Sequence, residues 1–154
     1  MIKIIPGDLL YSDCTIIGHQ TNCIKQMKSG IAKQIKEKYP EVEITDNEFM
    51  FDDQQRLGKC AITAVDDGNR YVCNLYGQYS NTRNHDTNYE AFEEALEKMM
   101  IAAVSLKKFN FFPVKIGLPY LIGCDLGGGD WKKMLPIIRK VAEKYNETIY
   151  LYKL

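Results

Sequence analysis

Val114-Lys115-Ile116-Gly117-Leu118 runs through Pro119-Tyr120-Leu121 into Ile122-Gly123-Cys124-Asp125-Leu126-Gly127-Gly128-Gly129-Asp130-Trp131. The apolar pentad reads as a strand, and Asp130 reads as the cap of a helix that continues to about Tyr145. Pro136 is expected to bend the first turns of that helix. A strand, a glycine loop and a helix in succession form the repeating unit of an α/β sheet. Four glycines within seven residues (Gly123 to Gly129) strip away side chains, so the backbone can approach a ligand closely. Amides and the positive end of a helix dipole then favour phosphate. The loop lacks the Lys-Ser/Thr of a P-loop, which argues against ATPase chemistry. A flexible glycine turn that only caps the helix is the other reading of the same residues.

Working outward, Thr87-Asn88-Tyr89-Glu90 has the capping-box pattern, with Thr87 closing one amide and Glu90 reaching back. Behind it Tyr89, Phe92, Leu96, Met99, Ala103 and Leu106 repeat at three and four residues, which marks one apolar helix face. Strands are expected at Ile2–Ile5, Thr15–His19, Cys60–Val65, Arg70–Tyr76 and Thr148–Leu154, with Asp66-Asp67-Gly68-Asn69 as a hairpin turn. Gly30 to Tyr39 carries Ile31, Ala32, Ile35 and Tyr39 at helical spacing, and Pro40 ends that helix. Residues 41–56 hold six acidic side chains around Phe49, Met50 and Phe51, and read as a solvated excursion with one aromatic anchor. The order β-β-α-β-β-α-β-α-β places helices on both faces of a mixed sheet.

The chain has 154 residues, 45% hydrophobic and 26% charged, which fits one soluble globular domain over 1–154. No repeat, low-complexity tract or linker divides it. Twenty Lys and Arg balance twenty Asp and Glu, so no global positive field asks for duplex nucleic acid or an anionic membrane. Five scattered cysteines, with no CxxC pair and no Cys/His cluster, argue against zinc and for a reduced, cytosolic protein. Neither a signal peptide nor a spanning segment is expected, and no metal or cofactor is called for.

Two further loops follow strands. His19-Gln20-Thr21-Asn22-Cys23 runs through Met27-Lys28-Ser29-Gly30 into a helix N-terminus, where ligands sit in open α/β sheets. His19 reads first as a core histidine satisfied by backbone, and Asn22 equally as a loop residue bonded to its own backbone. Asn74-Leu75-Tyr76-Gly77-Gln78-Tyr79 carries aromatics that stack on a base or pack inward. GxGxxG is absent in the form a Rossmann unit needs. Cys23 and His19 share a loop without forming a nucleophilic geometry, and no nucleophile elbow supports a Ser-His-Asp triad.

Gly7-Asp8-Leu9-Leu10, His19-Gln20-Thr21-Asn22-Cys23, Gly30-Ile31-Ala32, Leu57-Gly58-Lys59, Thr87-x-Tyr89-Glu90 and Leu118-Pro119-Tyr120-Leu121-Ile122-Gly123-Cys124 occur in that order. Together, over nearly the whole chain, they resemble a macro domain. The branch they are most similar to includes terminal ADP-ribose protein glycohydrolases and ADP-ribose 1″-phosphate phosphatases. The resemblance implies a three-layer α/β/α fold with a mixed central sheet and ADP-ribose in a cleft at the strand ends. It places Asp8 at the adenine amino group with the Leu9 amide nearby. Asn22 and the run through Ser29, Gly30 and Ile31 would line the distal ribose and diphosphate. Gly123, Cys124, Leu126, Gly127, Gly128 and Gly129 would wrap the diphosphate from the other side. Tyr76, Gly77 and Gln78 would lie near the ribose end.

The resemblance breaks at the chemistry. Glycohydrolases of this branch use a lysine in the loop after the fourth strand, and its place falls here at about Gly77 or Gln78. No lysine occurs from Arg70 to Asp86, so a covalent lysyl intermediate has no nucleophile. Their catalytic aspartate aligns with about Gly127, two residues from Asp125. Lys28 stands where a glycine is common, within expected reach of the phosphates or ribose. His19 and Asp125 are the catalytic candidates left, one as acid or base, the other orienting a water. Two functions are therefore expected of a monomeric ADP-ribose-binding macro domain. One is hydrolysis of ADP-ribosyl adducts or of ADP-ribose 1″-phosphate; the other is non-catalytic reading of ADP-ribose or an ADP-ribosylated macromolecule.

Overall fold

The structure, a computed structural model, describes residues 1–80, 87–109, 113–125 and 127–154. Its strands are β1 (Ile2–Pro6), β2 (Ile16–Gln20), β3 (Cys60–Val65), β4 (Arg70–Leu75), β5 (Ile116–Pro119) and β6 (Ile149–Lys153). Its helices are α1 (Gly30–Lys38), α2 (Pro40–Glu48), α3 (Tyr89–Phe109) and α4 (Trp131–Lys144). The sheet order is β1-β6-β5-β2-β4-β3, parallel throughout except for the antiparallel β3–β4 hairpin. The sheet is therefore mixed, as the sequence leads one to expect.

Strand alternation sends successive side chains to opposite layers. Ile16 and Cys73 join Phe92, Leu96 and Met99 of α3 and Ile138 and Val141 of α4 in the larger core. Ile17 and Val72 join Met27, Ile35 of α1 and Val42 of α2 in the core on the other face. Every residue of β2 is buried, in keeping with its apolar sequence and central position.

Pro40 follows the end of α1, as expected, but what comes after it is not an exposed excursion. The proline opens α2, where its missing N–H costs no hydrogen bond. The acidic stretch is likewise only partly solvated, since Asp46 and Arg56 are both fully buried. The Arg56 guanidinium donates to the carbonyls of Asp46 (2.8 Å), Phe49 (3.0 Å) and Phe51 (3.0 Å), and its Nη1 lies 3.4 Å from Asp46 Oδ1. A cation on the last carbonyls of a helix also meets the negative end of its dipole. Helix α4 passes through Pro136 without interruption, capped as expected by Asp130, which accepts from Lys132 N at 3.0 Å. At the start of α3 the cap is Asn88, whose Oδ1 accepts from Ala91 N at 2.9 Å, in place of Thr87.

The chain leaves β2 toward β4 and β3, and leaves β5 in the opposite direction toward β6. The neighbouring carboxyl ends of β2 and β5 thus form the switch point where an open α/β sheet offers a crevice.

Candidate functional site

A cleft of about 710 Å³ opens at that switch point. Its volume suits a nucleotide-sized ligand. One wall is the start of α1, with Ser29, Gly30, Ile31 and Ala32. The first amides of a helix have no intrahelical partner, so this wall presents N–H groups and a positive dipole end. Gly30 holds φ at +58°, which turns the chain into the helix from the extended Ser29. The other wall is the glycine loop, which contributes Gly123, Asp125 and Gly127. Backbone bonds from Gly129 N to Gly123 O (2.8 Å) and from Gly128 N to Asp125 O (3.0 Å) curl that loop on itself.

Asp8 and Leu9 lie at one end of the cleft lining, beside Tyr152, Lys153 and Leu154 from the end of β6. Asp8 Oδ1 accepts from Leu10 N at 3.0 Å, which fixes its carboxylate. Toward β2 and β4, Gln20, Thr21, Asn22 and Gln78 supply neutral polar side chains. Asn22 Oδ1 accepts from Ile24 N and Gln26 N, both at 3.2 Å, and its Nδ2 donates to Gln26 O at 2.9 Å. Asn22 thus shapes its own loop, one of the two readings its sequence allows. The charged side chains among the described lining residues are Asp8, Asp125 and Lys153.

Several expected site residues sit elsewhere. His19 does not line the cleft; it is wholly buried, with Nε2 2.6 Å from Asn74 Oδ1. Burial pushes its imidazole down to about 4, so it is neutral near neutral pH. Tyr76 is buried below the cleft, stacked on Phe49 at 5.4 Å with its hydroxyl donated to Asp46 Oδ1 at 2.6 Å. Gly77, Cys124, Gly128 and Gly129 support the walls without lining them. Burial raises the Cys124 thiol to about 11 and the Cys23 thiol to about 12, so neither supplies a ready thiolate. Leu126 lies outside the described residues. Lys28 is exposed and absent from the lining.

Sequence reasoning did not single out Gln20, Gln26, Gln34, Tyr120 or Lys153 as lining residues. The position of Gln20 at a strand end, directly before Thr21 and Asn22, was the available signal for it. Tyr120 and Lys153 carry no local one, because they meet only through the β5–β6 pairing, with Lys153 Nζ 4.9 Å from the Tyr120 ring.

The family model described as Macro domain matches residues 19–138 of this chain. The chain belongs to the macro domain family. No curated protein matches it in sequence. Among solved structures, this macro domain resembles a protein of unknown function from Bacteroides thetaiotaomicron, with 23% identity, a TM-score of 0.83, and coverage of 100% of this chain and 98% of that one. The macrodomain of Mycobacterium tuberculosis DarG is 20% identical with a TM-score of 0.75, covering 99% and 97%. Thermosipho africanus DarTG, solved in complex with ADP-ribose, is 16% identical with a TM-score of 0.75, over 99% of this chain and 42% of that one. At such identities the likeness establishes the macro domain fold. No helix of the described residues is long and apolar enough to cross a membrane.

Proposed function

We propose that this macro domain binds ADP-ribose in the cleft between α1 and the glycine loop. The observation that carries the reading is the pairing of a helix N-terminus with a glycine loop across one cleft at the sheet's switch point. Backbone amides can hold a diphosphate there without a lysine or arginine. The DarTG complex with ADP-ribose, on the same fold, supports the choice of ligand. Adenine lies beside Asp8, whose second carboxylate oxygen accepts from the exocyclic amine, with Leu9 and Tyr152 against the ring. The distal ribose points toward Asn22 and Gln78.

Isothermal titration of the whole chain with ADP-ribose tests this. Binding at micromolar ligand supports the reading, and absence of heat at millimolar ligand overturns it. Asp8→Ala is expected to weaken binding about tenfold, the size of one charge-assisted hydrogen bond.

A second reading, hydrolysis, rests on Asp125, an exposed carboxylate within the glycine-loop wall. It accepts a proton from a water whose oxygen attacks the anomeric carbon, while the bond from that carbon to the acceptor's oxygen breaks and the acceptor leaves as carboxylate or phosphate with the bonding pair. No covalent lysyl step is involved, and buried His19 takes no part. Turnover of an ADP-ribosylated peptide or of ADP-ribose 1″-phosphate, lost in Asp125→Ala while ADP-ribose binding persists, selects the hydrolase. Binding without turnover of either substrate selects the reader.

A further inference from the structure

Gln20 ends β2 and is buried, 9% exposed as a residue, with its carboxamide beside two glycines. A Cβ at Gly77 would stand 2.4 Å from Gln20 Oε1, and one at Gly123 would stand 3.1 Å from it. These two glycines thus clear space for a side chain of the protein itself. Gln20 Nε2 donates to Gln78 Oε1 at 2.8 Å and to Thr87 Oγ1 at 2.9 Å. The Thr87 hydroxyl donates its single proton to Gly123 O at 2.9 Å, and Thr87 N donates to Gly127 O at 2.9 Å. Because Asn88 caps α3, the Thr87 side chain is left for this second task. Thr87 therefore holds the glycine loop at Gly123 and Gly127, and Gln20 ties that grip to the sheet and to the loop after β4.

We propose that Gln20 and Thr87 are positioning residues that hold the glycine loop at Gly123 and Gly127, and so set the affinity for the diphosphate–ribose half of the ligand. The adenosine half, held at Asp8, does not depend on them. This rests on the ADP-ribose reading above for its ligand but not for the latch itself. The donor and acceptor order fixes the chemistry at position 20. Thr87 spends its proton on Gly123, so it can only accept from residue 20, and Gln78 also presents its oxygen. An amide N–H₂ satisfies both, whereas a carboxylate would face two oxygens.

The test uses the full chain as wild type, Gln20→Met, Gln20→Glu, Thr87→Val and Thr87→Ser. Each is titrated with ADP-ribose and with AMP, and amide hydrogen exchange at Gly129 is followed without ligand. Gln20→Met, Gln20→Glu and Thr87→Val are expected to weaken ADP-ribose about tenfold while AMP affinity moves less than about twofold. The Gly129 amide, bonded to Gly123 O, is expected to exchange at least about tenfold faster in the same three. Thr87→Ser keeps the hydroxyl and restores both. The Gln20→Met/Thr87→Val pair is expected to lose little more than either single change, since both release one loop. Equal weakening of ADP-ribose and AMP, or unchanged exchange at Gly129, overturns the proposal. If wild type binds neither nucleotide, the functional reading fails while the exchange comparison still decides the latch. If Gln20→Met does not fold, Thr87→Val against Thr87→Ser decides it from the loop side.

Discussion

His19 and Asp46 show how burial acts on opposite kinds of group. His19 shares the β2 face of Ile17 by strand alternation, and burial holds its imidazole near 4 against an ordinary 6.5. Between those values the unfolded chain binds the extra proton, so the stability this neutral histidine contributes is present above pH 6.5 and is lost as pH falls toward 4. The loss is about 3 kcal/mol at full extent. Urea denaturation of wild type against His19→Gln between neutrality and pH 4 is expected to show the steeper decline in wild type. Burial pushes the Asp46 carboxyl up, against the pull of the Tyr76 hydroxyl and Arg56. The stability tied to Asp46 protonation is therefore present at low pH and lost as pH rises through its folded pKa. Asp46→Ala, which leaves the Arg56 charge buried beside a gap, is expected to destabilise the fold by about 3–5 kcal/mol in the same assay. None of this was legible at positions 41–56. Six acids in a short stretch describe a solvated segment, while the partners that bury Asp46 are Arg56, at the far end of that stretch, and Tyr76, thirty residues further on. Tyr76, which the resemblance sets near the ribose, packs inward for the same reason, since its stacking partner Phe49 belongs to that distant stretch.

At the scale of elements, the strong periodic signals hold and the boundaries move. The apolar face from Phe92 to Ala103 is buried in α3 as its spacing requires. The β3–β4 hairpin forms at Asp66–Asn69, with Val65 opposite Arg70. Thr87 and Asn88 are both good caps, and only the position of the glycine loop decides which one is released for it. Pro40 serves both of its neighbours, since proline both ends one helix and starts the next. The C-terminus of α4 offers a direct test of element energetics. Glu147 N donates to Ala142 O and Asn146 N to Glu143 O, with Asn146 at φ +52°, so a Schellman turn is closed by a non-glycine residue. Asn146→Gly is expected to raise stability by about 0.5–1 kcal/mol, read as a rise in melting temperature without change in ligand affinity.

Across the whole molecule, zero net charge and a cleft whose described lining carries Lys153 as its cation fit the proposed recognition of an anion through fixed backbone dipoles. Long-range attraction contributes little to such a site, and salt screens little of it. A tenfold rise in monovalent salt is expected to change ADP-ribose affinity by less than about threefold in calorimetric titrations. Most of the cleft's loops were visible as motifs, because each lies directly after one strand. The wall from β6 was not, because it reaches the site only through the strand order of the sheet.

That order has a consequence for the birth of the protein. Among the described residues strand β1 pairs with β6 alone, and β6 must slot between β1 and β5. A chain emerging from the ribosome therefore carries β1 unpaired through the synthesis of every other strand. Its exposed Lys3 and terminal Pro6 suit an edge that must wait without sticking to its neighbours. Only when residues 149–153 have cleared the exit tunnel can the sheet close, and the same event delivers Tyr152 and Lys153 to the cleft. Completion of the fold and completion of the proposed binding site are thus one step in time.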